Sequence, residues 1–259
     1  MGEDRPWRSL GPIGGFQAAA NGIGISGSAA ATGQPIEISG SHPSLPRYNP
    51  EAARDTDLAC ASIDEVDSLR AAEYGLLATL LREAPDRDTL KRLTSLQGDA
   101  APLGRAHTAL AEVAATTDPQ EVEREFFNLF VGLARGELLP YASYYLTGSL
   151  NDRPLVRVRQ DLAAIGLEAV ESLREPEDHI AILCEVMARF AGRHFDGEAG
   201  AERRFFERHL QPWAGHFFAD LERSEEARFY RPVGTLGRLF MAIESEALAI
   251  AAAPGEDPR

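Results

Sequence analysis

From residue 62 onward, apolar side chains recur at spacings of three and four residues, while period-two alternation persists almost nowhere. That pattern restricts the chain to an all-α fold. Val66, Leu69, Ala72, Leu76, Leu77 and Leu80 form one apolar stripe behind the capping box Ser62-Ile63-Asp64-Glu65, and Pro85 stops the helix. A short helix with Leu90, Leu93 and Leu96 ends at Gly98, and another carries Leu103, Ala106, Leu110 and Val113. Asp118-Pro119-Gln120-Glu121 is a strong start signal: an N-cap acceptor, a proline suited to the first helical position, and an acid near the positive end of the dipole. Val122, Phe126, Leu129 and Phe130 then face inward, with Gly132 as the stop.

The segment 132–152 reads as a loop with Pro140 and three tyrosines. A helix over roughly 154–165 ends at Gly166, and a helix led by Pro176 buries Ile180, Leu183, Met187 and Phe190. After a loop over 192–200, Phe205, Phe206 and Leu210 lead to Pro212-Trp213, then to Phe217, Phe218 and Leu221. A last helix carries Leu236, Leu239, Phe240, Ile243 and Ala247. Short connections between amphipathic helices favour a single compact helical bundle over 61–252. Residues 1–60 are expected to form a disordered tail rich in Gly, Ala, Ser and Pro, because 1–50 show no apolar period. Gly22-Ile23-Gly24-Ile25-Ser26-Gly27 inside that tail is formally GxGxxG, but no strand precedes it, so it argues little for a nucleotide.

Charge narrows the partners. A formal net charge of −14 repels phosphate backbones, which argues against nucleic acid and for a cationic peptide. Cys60 and Cys184 are far apart and form no CxxC, so neither a disulfide framework nor a cysteine zinc site is expected, and a reducing cytoplasm is the natural setting. No apolar run reaches the ~18 residues a membrane span needs, and residues 1–10 are polar, without the pattern of an export signal.

Chemistry-bearing residues concentrate in two places. In Glu175-Pro176-Glu177-Asp178-His179 a carboxylate stands beside an imidazole, which suits acid–base or metal chemistry. Neighbours on a helix diverge by about 100°, however, and no HxxxH accompanies them. The plainer reading has Glu175, Glu177 and Asp178 stabilising a helix start after Pro176; a third lets exposed carboxylates bind guanidinium groups at the edge of a groove. His42, His107, His179, His194, His209 and His216 are scattered, and Pro212 interrupts the His209–His216 pair, so no metal site is expected. Ser143 lies in no GxSxG elbow. Tyr141, Tyr144 and Tyr145, with Phe126, Phe127 and Phe130, either fill the core or offer a contact surface for an Arg-bearing apolar peptide.

Four stretches resemble the TorD/DmsD/NarJ-type family of redox-enzyme maturation chaperones: Glu73-Tyr74-Gly75-Leu76-Leu77-Ala78-Thr79-Leu80-Leu81; Glu125 to Gly132; Pro140-Tyr141-Ala142-Ser143-Tyr144-Tyr145-Leu146; and Glu175-Pro176-Glu177-Asp178-His179-Ile180, followed by Met187. Pro212-Trp213 and Phe229-Tyr230 sit where the family places a late helix pair. The resemblance covers roughly 62–250. It implies a TorD-like helical domain without catalytic activity or a cofactor of its own. Such a protein binds the twin-arginine signal peptide, or an equivalent N-terminal segment, of an apo molybdoenzyme catalytic subunit until the cofactor is inserted and export follows. Carried onto this chain, the peptide-binding candidates are Tyr141, Ser143, Tyr144, Glu175, Pro176, Asp178 and His179. A formate dehydrogenase is the favoured client, with S- or N-oxide reductases and nitrate reductase as alternatives. The competing readings are a helical metal- or nucleotide-dependent enzyme centred on Asp178 and His179, and a scaffold subunit.

Overall fold

The computed structural model describes residues 16–18, 50–169, 175–193 and 200–250. Its elements are helices α1 (Pro50–Arg82), α2 (Arg87–Leu93), α3 (Pro102–Thr116), α4 (Pro119–Phe126), α5 (Ala142–Thr147), α6 (Arg153–Ala164), α7 (Ile180–Ala191), α8 (Ala201–His209), α9 (Ala214–Arg223) and α10 (Tyr230–Ile250). A π-helical turn, Phe127–Val131, continues α4. The sole sheet among the described residues pairs β1 (Phe16–Ala18) antiparallel with β2 (Leu167–Ala169). The chain is therefore an all-α bundle. Of the tail anticipated at 1–60, the rest of 1–49 lies outside the described residues, including the GxGxxG sequence, and so do His42 and His194.

Helix α1 begins at Pro50, so the Ser62–Glu65 box lies within a helix rather than at its start. Pro50 takes the first helical position, where its missing N–H has no intrahelical acceptor to lose. Farther on, Tyr74, Leu77, Leu80 and Leu81 bury one face of α1, which packs along α7. Helix α7 is apolar nearly all round, and every residue from Ile180 to Met187 is buried, Glu185 included. The expected stripe of Ile180, Leu183, Met187 and Phe190 was thus too narrow, since a helix that is hydrophobic on all sides belongs at the centre. On the other flank α10 runs along α9 and also meets α3.

Several anticipated boundaries hold for local reasons. Asp118 Oδ1 accepts from the Gln120 N–H at 2.9 Å, capping α4. Gly132 ends the π turn with φ +63, a left-handed value that favours glycine. The expected loop 132–152 instead contains α5, whose origin lies in the site.

Aromatic side chains fill the middle of the bundle. Phe130 stands edge-on to Tyr230 at 5.3 Å and to Phe126 at 5.1 Å, and Tyr145 packs on Trp213 at 5.3 Å. Phe126, Phe130 and Tyr145 therefore belong to the core, whereas Phe127 is exposed. Glu125 accepts from the N–H groups of Arg228 (2.8 Å), Phe229 (3.1 Å) and Tyr230 (2.8 Å), so one carboxylate satisfies the start of α10.

Candidate functional site

The two stretches singled out in the sequence meet. Tyr141 and His179 form an isolated antiparallel bridge: the Ala142 N–H donates to the Asp178 carbonyl at 3.0 Å, and the Ile180 N–H donates to the Pro140 carbonyl at 2.8 Å. Pro176 to His179 close a turn, the His179 N–H donating to the Pro176 carbonyl at 3.0 Å. Pro176 therefore stands outside α7, which begins at Ile180 with His179 as its N-cap. This corrects the expectation of a Pro176-led helix: bridging to 140–142 takes the backbone groups that a helix start at 176 would have used.

Three motif residues are committed to holding helix ends. Asp178 Oδ2 accepts from the Ser143 N–H at 2.8 Å. Tyr141, at the N-cap position of α5, provides no capping oxygen, so Asp178 serves α5 from 35 residues away. His179 Nδ1 accepts from the Ala181 N–H at 3.1 Å and caps α7. Ser143 Oγ accepts from the Asp152 N–H at 3.3 Å, and Asp152 caps α6. All three are buried, at 0% exposure for Ser143, 1% for Asp178 and 5% for His179. Asp178 is thus no exposed carboxylate at a groove edge. Its Oδ1 is buried without a hydrogen-bond partner among the described residues.

The others face outward. Tyr141 is half-buried, stacks edge-on against His179 with ring centroids 5.0 Å apart, and donates from its phenol to Glu175 Oε2 at 2.5 Å. Burial, then the hydrogen bond and charge of Glu175, push that phenol well above its ordinary pKa. Glu175 is exposed, and Pro176 is partly so. Tyr144 is half-buried and sits edge-on to Tyr145 at 6.0 Å. Arg135, which carries no local sequence signal, lies over the Tyr144 ring, its Cζ 5.3 Å from the centroid. Glu177 pairs with Arg159 at 2.8 Å.

The chemistry of this arrangement is positional. Burial, with the positive charge of Arg82 adding to it, pushes His179 down to about 3. An imidazole that must accept at Nδ1 stays neutral and is poorly suited to proton transfer near neutral pH. The linkage has a definite sign. The folded pKa lies below the ordinary 6.5, so the contribution is complete above pH 6.5 and is lost as pH falls toward 3. At pH 5 the loss amounts to about 2 kcal/mol. Urea unfolding at pH 7.5 and pH 5 is expected to show that excess in the parent chain and not in His179→Asn, which keeps a capping side chain. Equal pH dependence in the two proteins would remove His179 as the cause. Among the described residues, no group of three or more His, Cys, Asp or Glu side chains could hold a metal ion. His209 is occupied by Asp161, with Nε2 2.7 Å from Oδ2.

Comparison with known proteins supplies the lineage. Residues 96–219, which include both site segments, match the family model described as the nitrate reductase delta subunit. The protein described as chaperone protein TorD from Vibrio atlanticus is 30% identical over 152 residues, covering 54% of this chain and 71% of that one. Its namesake from Vibrio vulnificus strain YJ016 is 26% identical over 69% of this chain and 94% of its own length. That from Shewanella pealeana is 26% identical over 71% and 91%. In two further Vibrio relatives the match takes in 63% and 62% of their length. The chain belongs to the TorD-like family of redox-enzyme maturation chaperones.

Proposed function

We propose that this protein is a molybdoenzyme maturation chaperone. It binds the twin-arginine signal peptide, or an equivalent N-terminal segment, of an apo catalytic subunit, and holds that client in the cytoplasm until cofactor insertion and export. The observation that carries the reading is the bridge between Tyr141 and His179, which sets Tyr141, Tyr144 and Glu175 on one outward-facing corner. Aromatic faces and a carboxylate are the groups that receive guanidinium side chains, and the −14 net charge favours a cationic partner. Ser143, Asp178 and His179 act by holding this corner in place rather than by touching the client. That assignment also weighs against an enzyme centred on Asp178 and His179, because Asp178 Oδ2 and His179 Nδ1 are each engaged by a helix N–H group. A formate dehydrogenase is the client we favour. Among the described residues no helix is long and apolar enough to cross a membrane.

Calorimetric titration with an Arg-Arg signal peptide from a molybdoenzyme encoded nearby provides the test. Saturable binding is expected, weakened roughly three- to tenfold in Tyr144→Ala and in Glu175→Ala, the size of one lost cation–π or charge-assisted contact. No binding by the parent chain to any such peptide, or unchanged binding in both variants, would count decisively against this corner as the receptor.

A further inference from the structure

Arg135 is the least expected residue on this corner. Among the described residues it has no carboxylate partner, in a chain with 40 Asp and Glu. Its guanidinium instead lies over the Tyr144 ring at 5.3 Å, and Nη2 donates to the Tyr144 phenol oxygen at 3.3 Å. Both partners are held. Tyr144 is braced edge-on by Tyr145, which rests on Trp213 and donates its own phenol proton to Asp220 at 3.1 Å. The loop carrying Arg135 is folded tightly back on the π turn. The Glu137 and Leu138 N–H groups donate to the carbonyls of Asn128 (3.1 Å) and Leu129 (2.8 Å), and a Cβ on Gly136 would stand 2.5 Å from the Phe130 carbonyl carbon. A fixed aromatic face that already carries a guanidinium is a guanidinium subsite.

We infer that Arg135 is a resident stand-in for a client arginine: it covers the Tyr144 face in the free chain and is displaced when an arginine of the client segment takes that face. The inference rests on the proposed reading of this corner as the client receptor. It makes Tyr144 a specificity-determining platform for arginine over lysine, because both cations are drawn to an aromatic face but only the planar, more weakly hydrated guanidinium also stacks on it. It also makes Arg135 a brake on affinity, since displacing it costs the contact it makes.

Removing the brake gives an unusual sign: deleting a side chain at the receptor strengthens binding. Arg135→Ala is expected to bind a synthetic Arg-Arg signal peptide about two- to fivefold more tightly than the parent, the equivalent of one exposed cation–π contact. The gain should shrink when both peptide arginines are lysines. Arg153→Ala, which deletes the same charge from a side chain 83% exposed at the start of α6, controls for the general electrostatic effect and should leave affinity nearly unchanged. Unchanged or weaker binding by Arg135→Ala, equal tightening by Arg153→Ala, or an undiminished gain with the lysine peptide overturns the stand-in role while the receptor reading stands. Failure of the parent and both variants to bind either peptide overturns the two together.

Discussion

Glu244→Ala is expected to lower the unfolding free energy by about 3–5 kcal/mol, the usual cost of removing one partner from a buried ion pair. Glu244 is 1% exposed and accepts from Arg70 Nε at 2.7 Å, Arg70 Nη2 at 2.6 Å and the Tyr74 hydroxyl at 2.9 Å. Truncation leaves Tyr74, wholly buried, with a hydroxyl that has lost its acceptor. It also leaves Arg70 dependent on Glu202 at 2.5 Å and Asp67 at 3.3 Å. These remaining carboxylates place the loss toward the lower end of the range. Glu244→Gln keeps an acceptor for one donor and should lose about half as much. The informative companion is Arg70→Met with Tyr74→Phe and Glu244→Leu. Replacing the three central groups by apolar ones of similar volume removes their desolvation cost along with the attraction, strands only the partly exposed Glu202 and Asp67, and is expected to be nearly neutral. Denaturant midpoints across the three proteins decide the matter. A triple variant as unstable as Glu244→Ala would mean that packing, rather than an uncompensated charge, sets the loss.

The same helix carries a second such tie. Arg82 Nη2 donates to Glu185, which is 1% exposed and also accepts from Arg189 at 3.1 Å. Burial pushes the Glu185 carboxyl up and the two arginines oppose that shift. Helix α1 is thus tied to α10 by one buried carboxylate and to α7 by another. The Arg82 charge of the α7 tie also adds to the downward shift of His179. None of these pairs was legible in the sequence, because nothing local distinguishes an arginine that meets a buried carboxylate from one that faces water.

What was legible followed local rules. Asp118-Pro119 announced α4, Gly132 and Gly166 announced stops with positive φ, and the spacing of Leu76, Leu77 and Leu80 marked the buried face of α1. The misreadings occur where distant backbone overrides local preference. Pro176 looks like a first helical residue, yet the Ile180 N–H and the Asp178 carbonyl are taken by Pro140 and Ala142. Helix α5 has six residues, too short for periodicity to register, and its cap comes from a different segment. Arg135 was missed because a cation–π contact in a loop leaves no spacing to find. The juxtaposition of the two motif segments was expected only from the family resemblance; a helix-end role was foreseen for Asp178, but the burial of Ser143 and Asp178 was not.

That burial gives the second large effect. Asp178→Ala deletes the acceptor for the Ser143 N–H at a position that is 1% exposed. The lost cap leaves a buried donor unpaired, which costs about 1–3 kcal/mol. The consequence should be local before it is global. A helix of six residues has little stability of its own. Freeing its first turn therefore releases Tyr144, while the backbone bridge still holds Tyr141 to His179. Hydrogen exchange at Ser143, Tyr144 and Tyr145 should quicken far more than at Leu183 or Val186, deep in α7. Affinity for an Arg-Arg peptide should fall further than in Tyr144→Ala, although Asp178 is only 1% exposed. Asp178→Asn separates positioning from charge: its amide oxygen can still accept from Ser143, so exchange protection and most of the affinity should return. If Asp178→Asn binds as poorly as Asp178→Ala while its exchange pattern matches the parent, the charge itself meets the client, and Asp178 would have to become accessible to the peptide upon binding.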